Sequence, residues 1–406
     1  MSADMPRLVC AAWQLIISGV LDGGTEAALA ERVGVSSRHL RRLFLKHLGA
    51  SPDQLARSRR AHFARRLLDD TDLTVLDIAF ASGFGSLRQF NRTMREIFHA
   101  APGELRERRH RADRLVADGG LALRLPVLPG YDWPAVLSYL GGRSIPGVEE
   151  VRDGAYRRTV SLDGAPGVLE VRAGSDPGHL VLTAHLPYWE GLIHVVDQVG
   201  RLLGLDSDPA SGAAALRADP VLGPLVQSRP GLTVPGAWNP LEIAVAADSL
   251  PALVRGLGTA VPGLPGGLTH VFPDAAVLTE ANLEALGLPV ELAKVATLTS
   301  PGPAPVSPAG SDLASRVSPV GSNLASPVGS APASRTGSDL AFRSGSDLAF
   351  RVGSDLAFRA GDPEAWPASD PALRAAVASL FPRGVNLERW RPWQALAAMH
   401  LIASTY

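Results

Sequence analysis

Residues 26–49 read EAALAERVGVSSRHLRRLFLKHLG. Apolar Leu29, Val33, Leu40 and Phe44 recur at roughly helical spacing, which predicts two short helices. Gly34 falls between them, where a tight turn tolerates positive φ. Ser36 or Ser37 is placed to cap the second helix. Residues 74–98, TVLDIAFASGFGSLRQFNRTMREIF, repeat the plan, with Gly83 and Gly85 marking the turn and Ser86 as the expected cap. The chain thus carries a helix-turn-helix pattern twice, joined by an Arg-rich helix expected over about Pro52 to Leu68.

In such a unit the second helix is the one that enters a DNA major groove. Side chains near its start would meet base edges: Ser37, Arg38 and Arg41 in one unit, Ser86, Arg88 and Gln89 in the other. Arg suits guanine bidentately and Gln suits adenine. Arg42, Arg92 and Arg95 are placed for phosphates, and two readers on one face of a duplex would lie about one helical turn, ~34 Å, apart. The same pattern would also serve a plain helical bundle with solvated Arg faces. The two units, with the ending FNRTMREIFHAAPGEL over residues 90–105, resemble the DNA-binding domain of AraC-family regulators across about a quarter of the chain.

The 406 residues leave room for two to four domains. Net charge is −1 but unevenly placed: residues 1–115 hold 19 Lys+Arg against 13 Asp+Glu, a surplus of 6, and the remainder holds 20 against 27, a deficit of 7. A basic front end fits phosphate contact. The single cysteine, Cys10, excludes an internal disulfide and a Cys-rich metal site, and a reducing cytoplasm is the expected setting; the resemblance to AraC-family regulators implies a bacterial, nucleoid-associated one. The N-terminus lacks the features of a signal peptide, and no apolar run reaches the ~18 residues that span a bilayer. Soluble behaviour is expected.

Ahead of the first unit, AAWQLIISGVL over residues 11–21 reads as an amphipathic helix packed on it, with Trp13 in its core. Behind the second unit, after a charged run from Arg106 to Arg114, Leu121, Leu123 and Leu125 alternate as in a strand. Asp132 before Trp133-Pro134 reads as a helix cap followed by a first-turn proline. Strands are expected at Tyr156–Leu162, Val168–Ala173 and His179–Leu186, and a helix from Glu190 to Leu203, making an α+β unit.

Several words in this region resemble the AlkA-type 3-methyladenine DNA glycosylases, in the family's order: Leu125-Pro126, Tyr131-Asp132-Trp133, Ile145-Pro146-Gly147-Val148-Glu149, Tyr156-Arg157-Arg158, then RPGL over 229–232, PGAWNP over 235–240 and LEALGLP over 283–289. Fusions of an AraC-type reader with this glycosylase usually carry a Cys-rich, zinc-binding alkyl-acceptor domain in front. Nothing in this sequence matches that domain, so the resemblance implies no alkyl transfer. The fold expected is multidomain: an all-α tandem helix-turn-helix domain (1–114), an α+β AlkA N-terminal-like domain (119–208), and a partial α-helical helix-hairpin-helix glycosylase-like domain (209–298 and 361–406). A low-complexity repeat linker (299–360) interrupts the last.

The resemblance has gaps. After Trp238-Asn239-Pro240 the family continues with a helix that helps to insert a wedge into DNA; here the text turns Gly/Pro-rich and no wedge residue can be assigned. Where the family places its hairpin, whose turn N–H groups bind phosphate as helix N-termini do, this chain repeats GSDLAFR at 337–343, 345–351 and 353–359, with degenerate copies from Gly310, Gly321 and Gly329. Such composition reads as a disordered linker. A small solenoid and contacts to single-stranded nucleic acid through the repeated Phe and Arg are the other readings.

The family text resumes at GDPEAWPASDPALR over 361–374, where Asp370 matches the catalytic aspartate. Asp370 before Pro371 equally suits a plain helix cap. The chemistry implied needs one carboxylate: alkylated purines are cationic and leave readily, and an anion in a desolvated pocket stabilises the sugar cation and orients water. The base must first leave the stack. Trp366 is a candidate wall of the base pocket, with packing as its other use, and at Ile402 the family often has a pocket-facing tryptophan. No nearby lysine is placed as a Schiff-base nucleophile, so hydrolysis without strand cleavage is implied. No metal-ligand spacing, phosphate loop or nucleophile elbow is present. The sequence therefore calls for double-stranded DNA as partner, as operator and as alkylated substrate, with no cofactor, metal or membrane; oligomeric state stays open. Two functions remain: a regulator joined to a working base-excision glycosylase, or a DNA-binding regulator carrying an inactive remnant of one.

Overall fold

The computed structural model describes residues 7–107, 120–296 and 357–406, apart from 208, 246, 265, 291, 295, 360 and 383. The hairpin replacement and nearly all of the repeat tract lie outside the described residues. The described chain divides into two compact units, residues 7–59 and residues 60 onward.

The first unit contains α1 (Arg7–Ile17), α2 (Glu26–Arg32), α3 (Ser37–Leu48) and the start of α4 (Pro52–Asp70). Thr25 caps α2 and Ser36, not Ser37, caps α3, its Oγ accepting the His39 N–H at 3.3 Å. Ser37 is the first helical residue of α3. Gly34 takes φ 73° in the turn, as the spacing predicts. Val9, Ala12 and Ile16 of α1 close over Leu29, Leu40 and Phe44, all buried, while Trp13 packs at the edge of that core rather than inside it. Ser51 and Gln54 form a reciprocal cap at the start of α4.

The second unit opens with the same motif. α5 (Val75–Ala81) is capped by Thr74, with Asp77 returning the bond, and α6 (Leu87–Phe98) by Ser86, whose Oγ accepts the Gln89 N–H at 3.2 Å. Gly83 holds the turn at φ 79°; Gly85 keeps an ordinary φ. After α7 (Pro102–Glu107) come β1 (Leu121–Pro126), α8 (Trp133–Gly141), β2 (Glu149–Arg152), β3 (Ala155–Leu162), β4 (Ala165–Ala173), β5 (His179–His185) and α9 (Leu192–Leu202). The strands form one antiparallel sheet in the order β1-β5-β4-β3-β2. Asp153-Gly154 and Asp163-Gly164, all at positive φ, make the two tight hairpin turns, the geometry that matches strand twist. Register places Leu123, Leu182, Val171 and Tyr156 in one buried row, and α8 packs across β2 and β3.

Helices follow: α10 (Pro209–Leu216), α11 (Leu222–Ser228), the five-residue α12 (Pro240–Ala244), α13 (Leu250–Leu257), α14 (Glu280–Ala285), α15 (Pro371–Leu380) and α16 (Gln394–Ala403). A two-stranded ribbon, β6 (Thr259–Ala260) with β7 (His270–Val271), lies between α13 and α14 in sequence. One core joins the second helix-turn-helix to the sheet and to α16, from Phe84, Phe90 and Met94 through Leu182 to Met399. Polar contacts repeat the joint: Asp70 accepts the Arg124 N–H at 3.0 Å and pairs with its guanidinium, Arg66 donates to the Arg124 carbonyl, and the Gly191 N–H reaches the Phe80 carbonyl at 3.4 Å.

Candidate DNA-reading faces and the Asp370 site

The two helices expected to read DNA, α3 and α6, have equal length, 12 residues, each preceded by a 7-residue helix. On α3, Arg38, Arg41 and Arg42 are exposed and Ser37 is half-buried. Arg41 lies 3.9 Å from Glu26, and Arg42 contacts the His39 ring at 3.1 Å. On α6, Ser86, Arg88, Arg92 and Arg95 are exposed and Gln89 is half-buried; all five line one open depression along the helix. Arg92 pairs loosely with Glu96 at 3.5 Å, whereas Arg38, Arg88 and Arg95 have no carboxylate partner among the described residues. Buried Leu40 and Phe44 behind α3, and Phe90 and Met94 behind α6, turn these polar faces outward. Leu87, the first residue of α6, is also exposed, at the position occupied by Ser37 in the other unit.

Asp370 caps α15: Oδ1 accepts the Leu373 N–H at 2.9 Å, with Pro371 in the first turn. The cap expected from the sequence is therefore made, and the carboxylate has a second engagement. Oδ2 is paired with the guanidinium of Arg143, which follows α8, and the Asp370 side chain is only 10% exposed. Arg143 is itself held on several sides. Its Nη1 donates to the Tyr139 carbonyl at 3.3 Å and to the Tyr406 hydroxyl at 3.2 Å, and its Cζ lies 4.0 Å over the Tyr139 ring. Burial opposes the Arg143 charge, but Tyr139 and Asp370 more than offset it, so the group is held above its ordinary range. Burial also raises the Tyr139 hydroxyl.

Trp366 is half-buried and stacks on Trp390 at 5.7 Å between ring centroids, so it serves packing in this state. Trp390 is fixed in turn by Asp219, which accepts its Nε1–H at 2.7 Å. Ile402 is fully buried within α16. His400 on the same helix is buried beside Arg229 and Asp132, and burial pushes it down to about 4.

The sequence words quoted above meet in space. Asp132 caps α8 through the Ala135 N–H at 3.0 Å and pairs with Arg229 at 3.0 Å. Gly231 forms a parallel bridge with Tyr131 and runs so close to Gly130 that a Cβ would sit 1.9 Å from the Gly130 carbonyl oxygen. Arg158, 1% exposed, donates to Glu149 at 2.9 Å and to Glu242 at 2.6 Å, with its Cζ 4.6 Å over the Trp238 ring. Tyr156 donates to Glu149 as well. Burial raises Glu242 toward its neutral form although Arg158 opposes this. These contacts tie α8, β3 and α12 into the frame that carries Arg143. Sequence reasoning singled out Asp370 but not Arg143, Tyr139 or Tyr406.

The helix-turn-helix domain family matches residues 29–108, and the AlkA N-terminal domain family matches residues 122–239. The chain is a fusion of an AraC-type helix-turn-helix domain and an AlkA N-terminal domain. The fusion is 36% identical over 296 residues to a protein of Mycobacterium tuberculosis described as a probable bifunctional transcriptional activator/DNA repair enzyme AlkA, covering 70% of this chain and 59% of that one. It thus spans somewhat over half the length of that relative. Its front is 42% identical over 81 residues to the HTH-type transcriptional regulator GlxA of Rhizobium meliloti, covering 20% and 25% of the two chains. Among solved structures, it is similar to a 3-methyladenine DNA-glycosylase from Archaeoglobus fulgidus, with a TM-score of 0.48 and 15% identity over 69% of this chain and 98% of that one.

Proposed function

We propose that this chain is a bacterial cytoplasmic, nucleoid-associated DNA-binding regulator that also removes alkylated purines. α3 and α6 read duplex DNA: Ser37, Arg38, Arg41, Ser86, Arg88 and Gln89 meet bases, and Arg42, Arg92 and Arg95 meet phosphates. Asp370 is the catalytic carboxylate. The observation that carries the enzymatic reading is its burial at the start of α15, where a fixed, largely desolvated carboxylate can face a developing sugar cation.

In the reaction the base leaves with the C1′–N electron pair, which neutralises the cationic purine ring. Water supplies the hydroxyl on C1′ and one proton is released, leaving an abasic site and an uncut strand. Asp370 stabilises the cation and orients the water. No cofactor or metal enters this scheme. A second reading, a regulator with an inactive glycosylase remnant, draws support from the five-residue α12 and from the buried Ile402.

Base release from methylated duplex DNA by the intact protein and by Asp370→Asn decides between them. The enzymatic reading expects release of 3-methyladenine that falls at least ~100-fold in the variant, the scale of losing one preorganised electrostatic group. Equal release by the variant would refute the role of Asp370, and no release by either would leave the second reading.

A further inference from the structure

We infer that Arg143 is the positioning residue of the proposed excision site, acting on the reaction by fixing the plane of the Asp370 carboxylate. This inference rests on the enzymatic reading above.

A carboxylate that caps a helix through one oxygen can still swing about its last torsion, because a terminal sp³–sp² rotor has broad minima. Here Oδ1 is committed to the Leu373 N–H and Oδ2 to the Arg143 guanidinium, so both ends are held. Arg143 is a suitable anchor. It is planar, always charged and rich in donors, so one side chain can bind several acceptors without reorganising. It grips the Tyr139 carbonyl, the Tyr406 hydroxyl and Asp370 while lying on the Tyr139 ring. Its backbone follows the end of α8, where a cation also complements the helix dipole. The far end of α8 is locked by Asp132 to Arg229 and by the close approach of Gly130 to Gly231. The AlkA N-terminal domain therefore reaches the carboxylate borne by α15 through a single rigid helix. Since a misplacement of about 1 Å costs on the order of 100-fold in rate, the consequence falls on the chemical step rather than on DNA affinity.

The test uses the full chain, methylated duplex DNA under single-turnover conditions, and an abasic-analogue duplex for affinity. Arg143→Gln is expected to slow base release roughly 10- to 100-fold with an unchanged Kd for the duplex. Arg143→Lys, which keeps the charge but loses the fork, is expected to recover part of the rate. A merely structural role would lower Tm and weaken DNA binding together with the rate, and Lys would restore none of the chemical step selectively. Arg143→Gln releasing base as fast as the parent, or losing rate only in step with affinity, would overturn the inference while leaving Asp370 in its role. If Arg143→Gln does not fold, Arg143→Lys carries the test: a parental Kd with a slowed chemical step supports the inference, and a fully parental rate opposes it. Absence of release by the parent protein would remove the enzymatic reading and this inference with it.

Discussion

The two helix-turn-helix units share one local design and differ in what lies behind them. Each has a Thr-capped helix of 7 residues, a glycine at positive φ and a Ser-capped helix of 12 residues. The first rests on α1 and a small core of its own around Leu29, Leu40 and Phe44. The second shares one large core with the AlkA N-terminal sheet and the C-terminal helices, and adds the Asp70–Arg124 joint. Motif grammar therefore fixes the helix-turn-helix shape, while the apolar surface behind it decides whether the motif has a small core of its own or shares a larger one.

Removing the buried aromatic behind each reading helix puts this contrast at most risk. Phe44→Ala and Phe90→Ala should each cost roughly 3–5 kcal/mol. Hydrogen exchange should show lost protection confined to residues 7–59 for Phe44→Ala, but extending into the sheet for Phe90→Ala. Lost protection confined to α5 and α6 in the second variant would show that the shared core is not cooperative.

His400 gives the larger unit an acid sensitivity. Its folded-state value of about 4 lies below the ordinary unfolded 6.5, so the unfolded chain binds the proton first. The stability it contributes is present above about pH 6.5 and is lost as pH falls toward 4, by roughly 3 kcal/mol in all. His400→Leu should flatten that slope in denaturant titrations, without changing the protection of α3; an unaltered slope would reassign the acid sensitivity.

Asp70→Ala should destabilise the second unit by about 1.5–3 kcal/mol, since it strips a charged acceptor from the Arg124 N–H and guanidinium. Thermal unfolding measures this, and a loss of under about 0.5 kcal/mol would make the joint incidental. The smallest effect concerns the C-caps. Gly49 and His99 both adopt left-handed backbone, at φ 71° and 54°, and open space surrounds the Gly49 Cβ position. Gly49→Ala should destabilise and His99→Gly stabilise, each by about 1 kcal/mol; a shared sign would refute the backbone argument.

Much of the front half was legible because its signals are local. Apolar period, Ser and Thr caps and a turn glycine all lie within a dozen residues, and the observed helices follow them. The tight turn at Asp163-Gly164 joins two of the strands expected from the sequence. β2 escaped because EEVR offers one apolar residue and is an edge strand defined by its pairing with β3. Trp13 was expected inside the core and lies at its rim, because periodicity reports a face and not a depth. At the candidate site, Asp370 was found only through resemblance. Its bond to Arg143 spans 227 residues of sequence, and no local pattern encodes such a meeting. Likewise Arg158 stood in one quoted word and Glu242 two residues beyond the end of another, and the buried ion cluster they form exists only after folding.

The central claim is that two helix faces read one duplex. Titrating the intact protein with its selected duplex at about 0.15 M salt, beside Arg41→Ala, Arg88→Ala and the double variant, tests it most directly. Each single change should cost about 1–3 kcal/mol and the double change close to their sum, with both half-sites protected in footprints of the parent. Duplex DNA left unbound at that salt, or footprints and affinities that ignore both substitutions, would contradict it.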